Sequence, residues 1–487
     1  MASSKAKIFQ NIIYTSLAKG TTLICIAVTS MIVARNLSPS DFGVVAFAGI
    51  IIGFLSHFSD LGVGSAAIRR PSLDEKSLQT AFTLKLILGV GAFLAIYLIA
   101  PFAHYFFQHP ATGDVMRVLA FTFLVSTIGF MPTVTLTREQ NFRTLVIPGV
   151  LSVVARSLIA ITLVLSGWAY WSVVLADIAA TVVSSVALQL MRNVPVGFYF
   201  DWQTAREYLQ FGAPLVGSGI VVFLIFNLDR LLVGSSMGTV QLGYYALAFM
   251  WGSYVCNLLY ETVHNVLFPA FSAIQHDTVA MRRWYLKTVD LVAFLSLIVN
   301  TTLLANAHFF LFTVLGKGSD KWVPATLSLE ILCIYGIIRA TTEPLANVIM
   351  ALGRTGILLR ANVLGALIEL VLLVLVVKTG KIELVAAVVL FAYLSQMVIV
   401  IPLLRRSLGI GVRDLAAQLW PAIPALLAGC GATLLVPASL GGSLSTFAMR
   451  GLFTALVVAL VHGLCTRFRC FQEAGGMIVE NFARARA

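Results

Sequence analysis

Apolar runs of about 20 residues, long enough for a helix to cross the hydrocarbon core of a bilayer, recur from end to end of this chain. A backbone in lipid must satisfy its own polar groups, so only helices and closed barrels can span. The apolar/polar alternation of a barrel strand is missing. The chain therefore reads as an all-α polytopic membrane protein. Composition agrees, with 59% of the 487 residues hydrophobic and 11% charged, against about a quarter charged in soluble domains. Mean hydropathy is +0.93. Taken in order, the runs place spans near 10–34, 40–60, 79–102, 115–136, 144–166, 169–190, 208–233, 241–265, 286–315, 325–351, 357–377, 383–404, 416–436 and 446–465. That is about 14 transmembrane helices; twelve stays open, because Pro421, Pro424 and Pro437 interrupt the last two runs.

The net charge of +12 raises the question of nucleic acid. Placement answers it. With the N-terminus cytoplasmic, Lys and Arg favour the cytoplasmic loops and tails by about three to one, as the positive-inside rule requires for an even number of spans with both termini inside. No loop is long enough to build a basic face for a polynucleotide. Lys5 and Lys7 precede an apolar run too long, and too poor in a small-residue cleavage site, for a signal peptide, so an uncleaved first helix is expected. The six cysteines lie mostly within apolar runs without metal-ligand spacing and read as small packing residues.

Two echoes point to duplication. Ala34–Ala48 (ARNLSPSDFGVVAFA) aligns without a gap on Gly234–Ala248, two hundred positions on, with Gly43/Gly243, Ala46/Ala246 and Ala48/Ala248 identical. Arg143-Thr144 and Arg354-Thr355 then open apolar segments at similar offsets, preceded at similar distances by Pro132 and Pro344. The expected organisation is a bundle over 1–190, a linker at 191–206, a second bundle of the same orientation over 207–405, and two extra helices with a basic tail over 406–487. Repeats related in this way carry a substrate site where they meet.

Ionisable groups at membrane depth are costly and each is a candidate functional residue. Lys19, Arg156, Asp177, Arg339 and Glu369 fall roughly 12–20 Å along their helices at 1.5 Å per residue. Lys85, Asp229, Arg230, Glu261, Glu330 and Glu343 sit shallower. Arg339 and Glu343, spaced i, i+4, can pair with each other or line a cavity. Asp229 and Arg230 are neighbours about 100° apart, so one faces inward while the other snorkels. Lys85 is near enough to its helix end to snorkel too. Lys19 and Arg156 have no acid at i±3 or i±4 and are expected to line a polar cavity, unless Asp177 or Glu369 neutralises one of them across helices. Walker, HExxH and dinucleotide-binding signatures are all missing. Neither an enzyme, nor a cofactor, nor a metal is expected.

The stretch Ala34–Ala48, the loop Thr137–Arg143 (TREQNFR) and Asn227–Ala248 resemble the polysaccharide-transporter branch of the multidrug/oligosaccharidyl-lipid/polysaccharide exporter superfamily, which includes the Wzx-type flippases. The likeness runs most clearly over 10–405. It implies two six-helix bundles around a central cavity, alternating between inward-open and outward-open states in a bacterial inner membrane. The implied cargo is an undecaprenyl-diphosphate-linked oligosaccharide for exopolysaccharide or O-antigen synthesis, with polymerase and chain-length proteins as pathway partners. Lys19, Arg156, Arg339 and Lys85 would attract the diphosphate. Asp177, Asp229 and Glu369 are the candidates to couple movement to a proton or sodium gradient. Two alternatives stand: a multidrug cation antiporter of the same superfamily, whose cavity would be dominated by acids, and a non-transporting membrane partner of a polysaccharide synthase.

Overall fold

The structure, a computed structural model, describes residues 20–103, 109–194, 197–257, 267, 270–435 and 444–466. Among these every regular element is helical, and twelve stretches are long and apolar enough to cross a membrane. The protein is a multi-pass membrane protein. Twelve of the fourteen expected spans have a counterpart. The other two, near 10–34 and 241–265, run into residues outside the described ones, and fourteen is not reached among the described residues. The chain forms two compact units, Met1–Gly243 and Tyr244–Ala487.

The first unit contains α1 (Gly20–Asn36), α2 (Pro39–Asp60), α3 (Val63–Arg69), α4 (Glu75–Ile99), α5 (Ala111–Ile128), α6 (Phe130–Arg138), α7 (Phe142–Leu165), α8 (Trp171–Met191), α9 (Trp202–Ile225) and the start of α10 (Leu228–Gly252). Ser38 starts α2 with a capping box. Its hydroxyl accepts from the Asp41 N–H at 3.1 Å, while the Asp41 carboxylate accepts from the Ser38 N–H at 3.3 Å. Pro39 at the first helical position costs no hydrogen bond, since that N–H lacks an intrahelical partner in any case. The helix stops at Asp60 because Leu61 (φ 38°) and Gly62 (φ 66°) are both left-handed. Gly62 is needed there twice over: a Cβ would be strained at that φ and would lie 2.7 Å from the Gly212 Cα of α9. Past the expected linker at 191–206, α9 therefore packs on α2 and α3 within this unit. Its first turn is held by Asp201, whose carboxylate accepts from the Thr204 N–H at 2.8 Å. Val63, Ala67, Phe82, Met131 and Tyr208 form a core among α3, α4, α6 and α9.

One break interrupts α10. Gly238 has φ 85° and ψ 176°, a region open essentially to glycine alone.

In the second unit the chain continues as α11 (Thr278–Ala305), α12 (Thr326–Ala351), α13 (Thr355–Val376), α14 (Ile382–Leu408), α15 (Val412–Leu419), α16 (Ala422–Leu435) and α17 (Leu444–Cys465). Met281, Tyr285, Leu345, Val348, Ala361 and Leu404 pack at its core. Large apolar side chains such as Leu98, Leu190, Val398 and Leu452 are exposed in both units. A soluble monomer rarely carries so much exposed apolar surface; a lipid-facing one must.

Candidate functional site

The first unit carries an open cavity of about 410 Å³. At one end the interrupted α2 delivers Asp60, and α4 delivers Lys85. Lys85 lies ten residues into α4, roughly 15 Å from its start, and is 7% exposed. It does not snorkel as expected. Its Nζ donates to the Ser59 carbonyl at 3.0 Å and lies 3.5 Å from the Asp60 carboxylate. The ammonium thus caps the carbonyl end of α2, where a cation is favoured by the helix dipole. The Asp60 side chain is half-exposed.

Six hydroxyls share the remaining lining with apolar groups. Ser126 of α5, Thr133 of α6, Ser152 of α7 and Thr181 of α8 all face the cavity. Each donates to a carbonyl of its own or the preceding turn, at 3.0, 2.7, 2.8 and 2.9 Å respectively. A hydroxyl bonded in this way keeps its acceptor capacity. Ser184 and Ser185 also line the cavity, and among the described residues their hydroxyls meet no protein partner. Phe130 and Leu188 supply an apolar flank.

Arg156 of α7 and Asp177 of α8 form an ion pair, one turn from Ser152 and Thr181 respectively and so outside the cavity lining. Each side chain is one-third exposed. The cross-helix neutralisation of Arg156 by Asp177 is thus realised. Asp229, at the start of α10, is 2% exposed and lies 3.8 Å from the Nε of Arg230. Arg230 does not extend outward but folds back to donate to the Phe226 carbonyl at 2.6 Å. Lys19 and Glu261 lie outside the described residues.

In the second unit, Arg339 of α12 is 7% exposed. Its Nε donates to Glu343 at 3.0 Å and its Nη1 to the Tyr335 hydroxyl at 3.4 Å. The i, i+4 pairing legible in the sequence is therefore formed. Glu369 is buried on α13, one turn from Gly365, whose missing side chain makes room for Gln396 of α14.

Of the seven candidate site residues, then, the structure brings Lys85 into the cavity and joins Arg156 to Asp177. Sequence reasoning missed Asp60 and the hydroxyl wall. A signal existed: Thr181, Ser184 and Ser185 fall at i, i+3 and i+4, on one face of α8.

Comparison with known proteins supplies the context. A family model described as polysaccharide biosynthesis protein matches residues 32–326. The teichuronic acid biosynthesis protein TuaB of Bacillus subtilis (strain 168) is 28% identical over 306 residues, 61% of each chain. The lipopolysaccharide biosynthesis protein WzxC of Escherichia coli (strain K12) is 24% identical over 345 residues, 68% of this chain and 67% of that one. The chain thus matches about three-fifths of the length of TuaB. Among solved structures, the lipid II flippase MurJ in an inward closed conformation superposes with a TM-score of 0.74 at 12% identity. It covers 94% of this chain and 99% of its own, a likeness of fold.

Proposed function

Because the chain belongs to the polysaccharide biosynthesis protein family, we propose that it is a flippase that carries lipid-linked oligosaccharides across the bacterial inner membrane by alternating access, with both termini cytoplasmic. The observation that carries this reading is Lys85: an ammonium 7% exposed, well inside a membrane-spanning helix and lining a cavity that also presents six Ser and Thr hydroxyls. Buried cations at that depth are costly unless they have a partner, and here the Ser59 carbonyl at 3.0 Å and the Asp60 carboxylate at 3.5 Å hold the ammonium. A phosphate oxygen can exchange with Asp60 at that ammonium. The cargo in this reading is an undecaprenyl-diphosphate-linked repeat unit. Its prenyl tail stays in lipid while Lys85 stabilises the diphosphate. Arg156 and Arg339 are each held by an acid, Asp177 and Glu343, and with Lys19 remain proposed cations for it. Asp177, Asp229 and Glu369 remain the groups proposed to couple movement to an ion gradient, and polymerase and chain-length proteins the proposed partners.

The test is translocation of an undecaprenyl-diphosphate oligosaccharide between leaflets of proteoliposomes. Wild type should move it, and Lys85→Ala should slow it at least about tenfold, or ~1.4 kcal/mol, with folding intact. If wild type moves no such lipid but exchanges a cationic dye for protons, the flippase reading fails in favour of a drug antiporter.

A further inference from the structure

Resting on the flippase reading above, we infer that the hydroxyl-lined cavity of the first unit is a sugar subsite, which takes the ring attached to the diphosphate. Its chemistry excludes other occupants one by one. The volume of about 410 Å³ falls in the range of about 300–1,000 Å³ usual for small-molecule pockets, so the space exceeds what a lone ion needs. A bound cation would face the Lys85 ammonium. A second anion would face Asp60, so only the phosphate end of the cargo has a charge to meet. An apolar ligand would cover the Ser184 and Ser185 hydroxyls and return no hydrogen bonds to them.

A pyranose suits both the hydroxyls and the apolar part of the lining. Its hydroxyls both donate and accept. The hydroxyls of Ser126, Thr133, Ser152 and Thr181 are already committed as donors to their own helices and so present acceptors to it. Ser184 and Ser185 are free to do either. The ring's C–H faces can rest on Phe130. Lys85, which lines the same cavity beside Asp60, is the cation available to the phosphate joined to that ring. One cavity thereby reads the junction of sugar and diphosphate, which distinguishes a loaded carrier lipid from an empty one.

The test places a reporter on Ala180, which lines the cavity without offering a polar group. Ala180→Cys in the full chain, in lipid nanodiscs, is labelled with a maleimide, and peptide mass spectrometry reads position 180 apart from the native cysteines. Undecaprenyl diphosphate bearing a single glucosyl, galactosyl or N-acetylhexosaminyl ring should slow labelling about tenfold, while bare undecaprenyl diphosphate should leave it nearly unchanged. Adding Ser184→Ala and Ser185→Ala should abolish the difference. If none of the loaded lipids protects, or if the bare lipid protects equally, the sugar subsite is overturned. Translocation measured separately keeps the two readings apart. Transport without protection sinks the subsite and leaves the flippase standing; protection without transport does the reverse.

Discussion

Gly43 and Gly243, equivalent positions of the two echoing stretches, touch backbone to backbone. A Cβ on Gly43 would run into the Thr239 carbonyl, and a Cβ on Gly243 would run into the Pro39 carbonyl. Thr239 and Pro39 are themselves two hundred positions apart, so the contact maps onto itself when the stretches are exchanged. The hydroxyls of Ser40 and Thr239 add a hydrogen bond of 3.0 Å. Small residues allow helices in lipid to approach this closely, and here the echo in the sequence meets its own counterpart.

Gly43→Ala and Gly243→Ala should each lower stability by about 1–3 kcal/mol through overpacking, read as a fall in melting temperature in detergent. Because either methyl group already separates the helices, the double variant should cost clearly less than the sum. Full additivity would mean that the two glycines do not share one contact.

Gly238→Ala tests the backbone alone. No atom lies within 4 Å of a Cβ at that site, so any loss comes from the conformation (φ 85°, ψ 176°), at about 1–3 kcal/mol. A variant as stable as wild type would show that α10 can do without the break.

The Arg339–Glu343 pair should respond asymmetrically. Arg339→Ala leaves the largely buried Glu343 carboxylate without its Arg339 partner and should cost about 3–5 kcal/mol, whereas Arg339→Met with Glu343→Leu should be far milder. Thermal unfolding of the three proteins decides it. Equal losses in single and double variants would mean that the pair itself supplies the stability.

Asp201 gives the fold an acid-sensitive cap. Hydrogen bonding, first to the Thr204 side chain and then to its N–H, holds the carboxyl below the usual aspartate range. A depressed value in the folded state means that the cap's contribution is present above the unfolded value of about 3.9 and fades as pH falls through the folded one. Asp201→Asn should flatten that part of the stability–pH curve below pH of about 4 while leaving neutral behaviour little changed. A variant that keeps the wild-type slope would assign the acid sensitivity to other carboxylates.

What could be read in advance follows from how local each interaction is. The capping box at Ser38 and Asp41 and the Arg339–Glu343 pair depend on spacings of three and four residues, which sequence displays directly. The choice of Asp177 for Arg156 depends on which helices become neighbours, and the sequence offered Glu369 equally well. Lys85 read as a snorkelling residue because the stop of α2 at Leu61–Gly62, which brings the Ser59 carbonyl to it, has no mark beyond one glycine among 37. The hydroxyl wall stayed hidden for a related reason: serines and threonines occur in nearly every span, and only the packing of α5 to α8 selects the six that share a cavity.

The break at Gly238 has a mechanical consequence. A continuous helix transmits twist along its length because each turn is bonded to the next. A residue at φ 85° and ψ 176° is a joint in such a rod, so a torque applied at Leu228 need not reach the residues beyond Thr239. Beside the joint, the Ser40–Thr239 hydroxyl contact of 3.0 Å and the close approach of Gly43 to the Thr239 carbonyl fix the far side of the rod against α2.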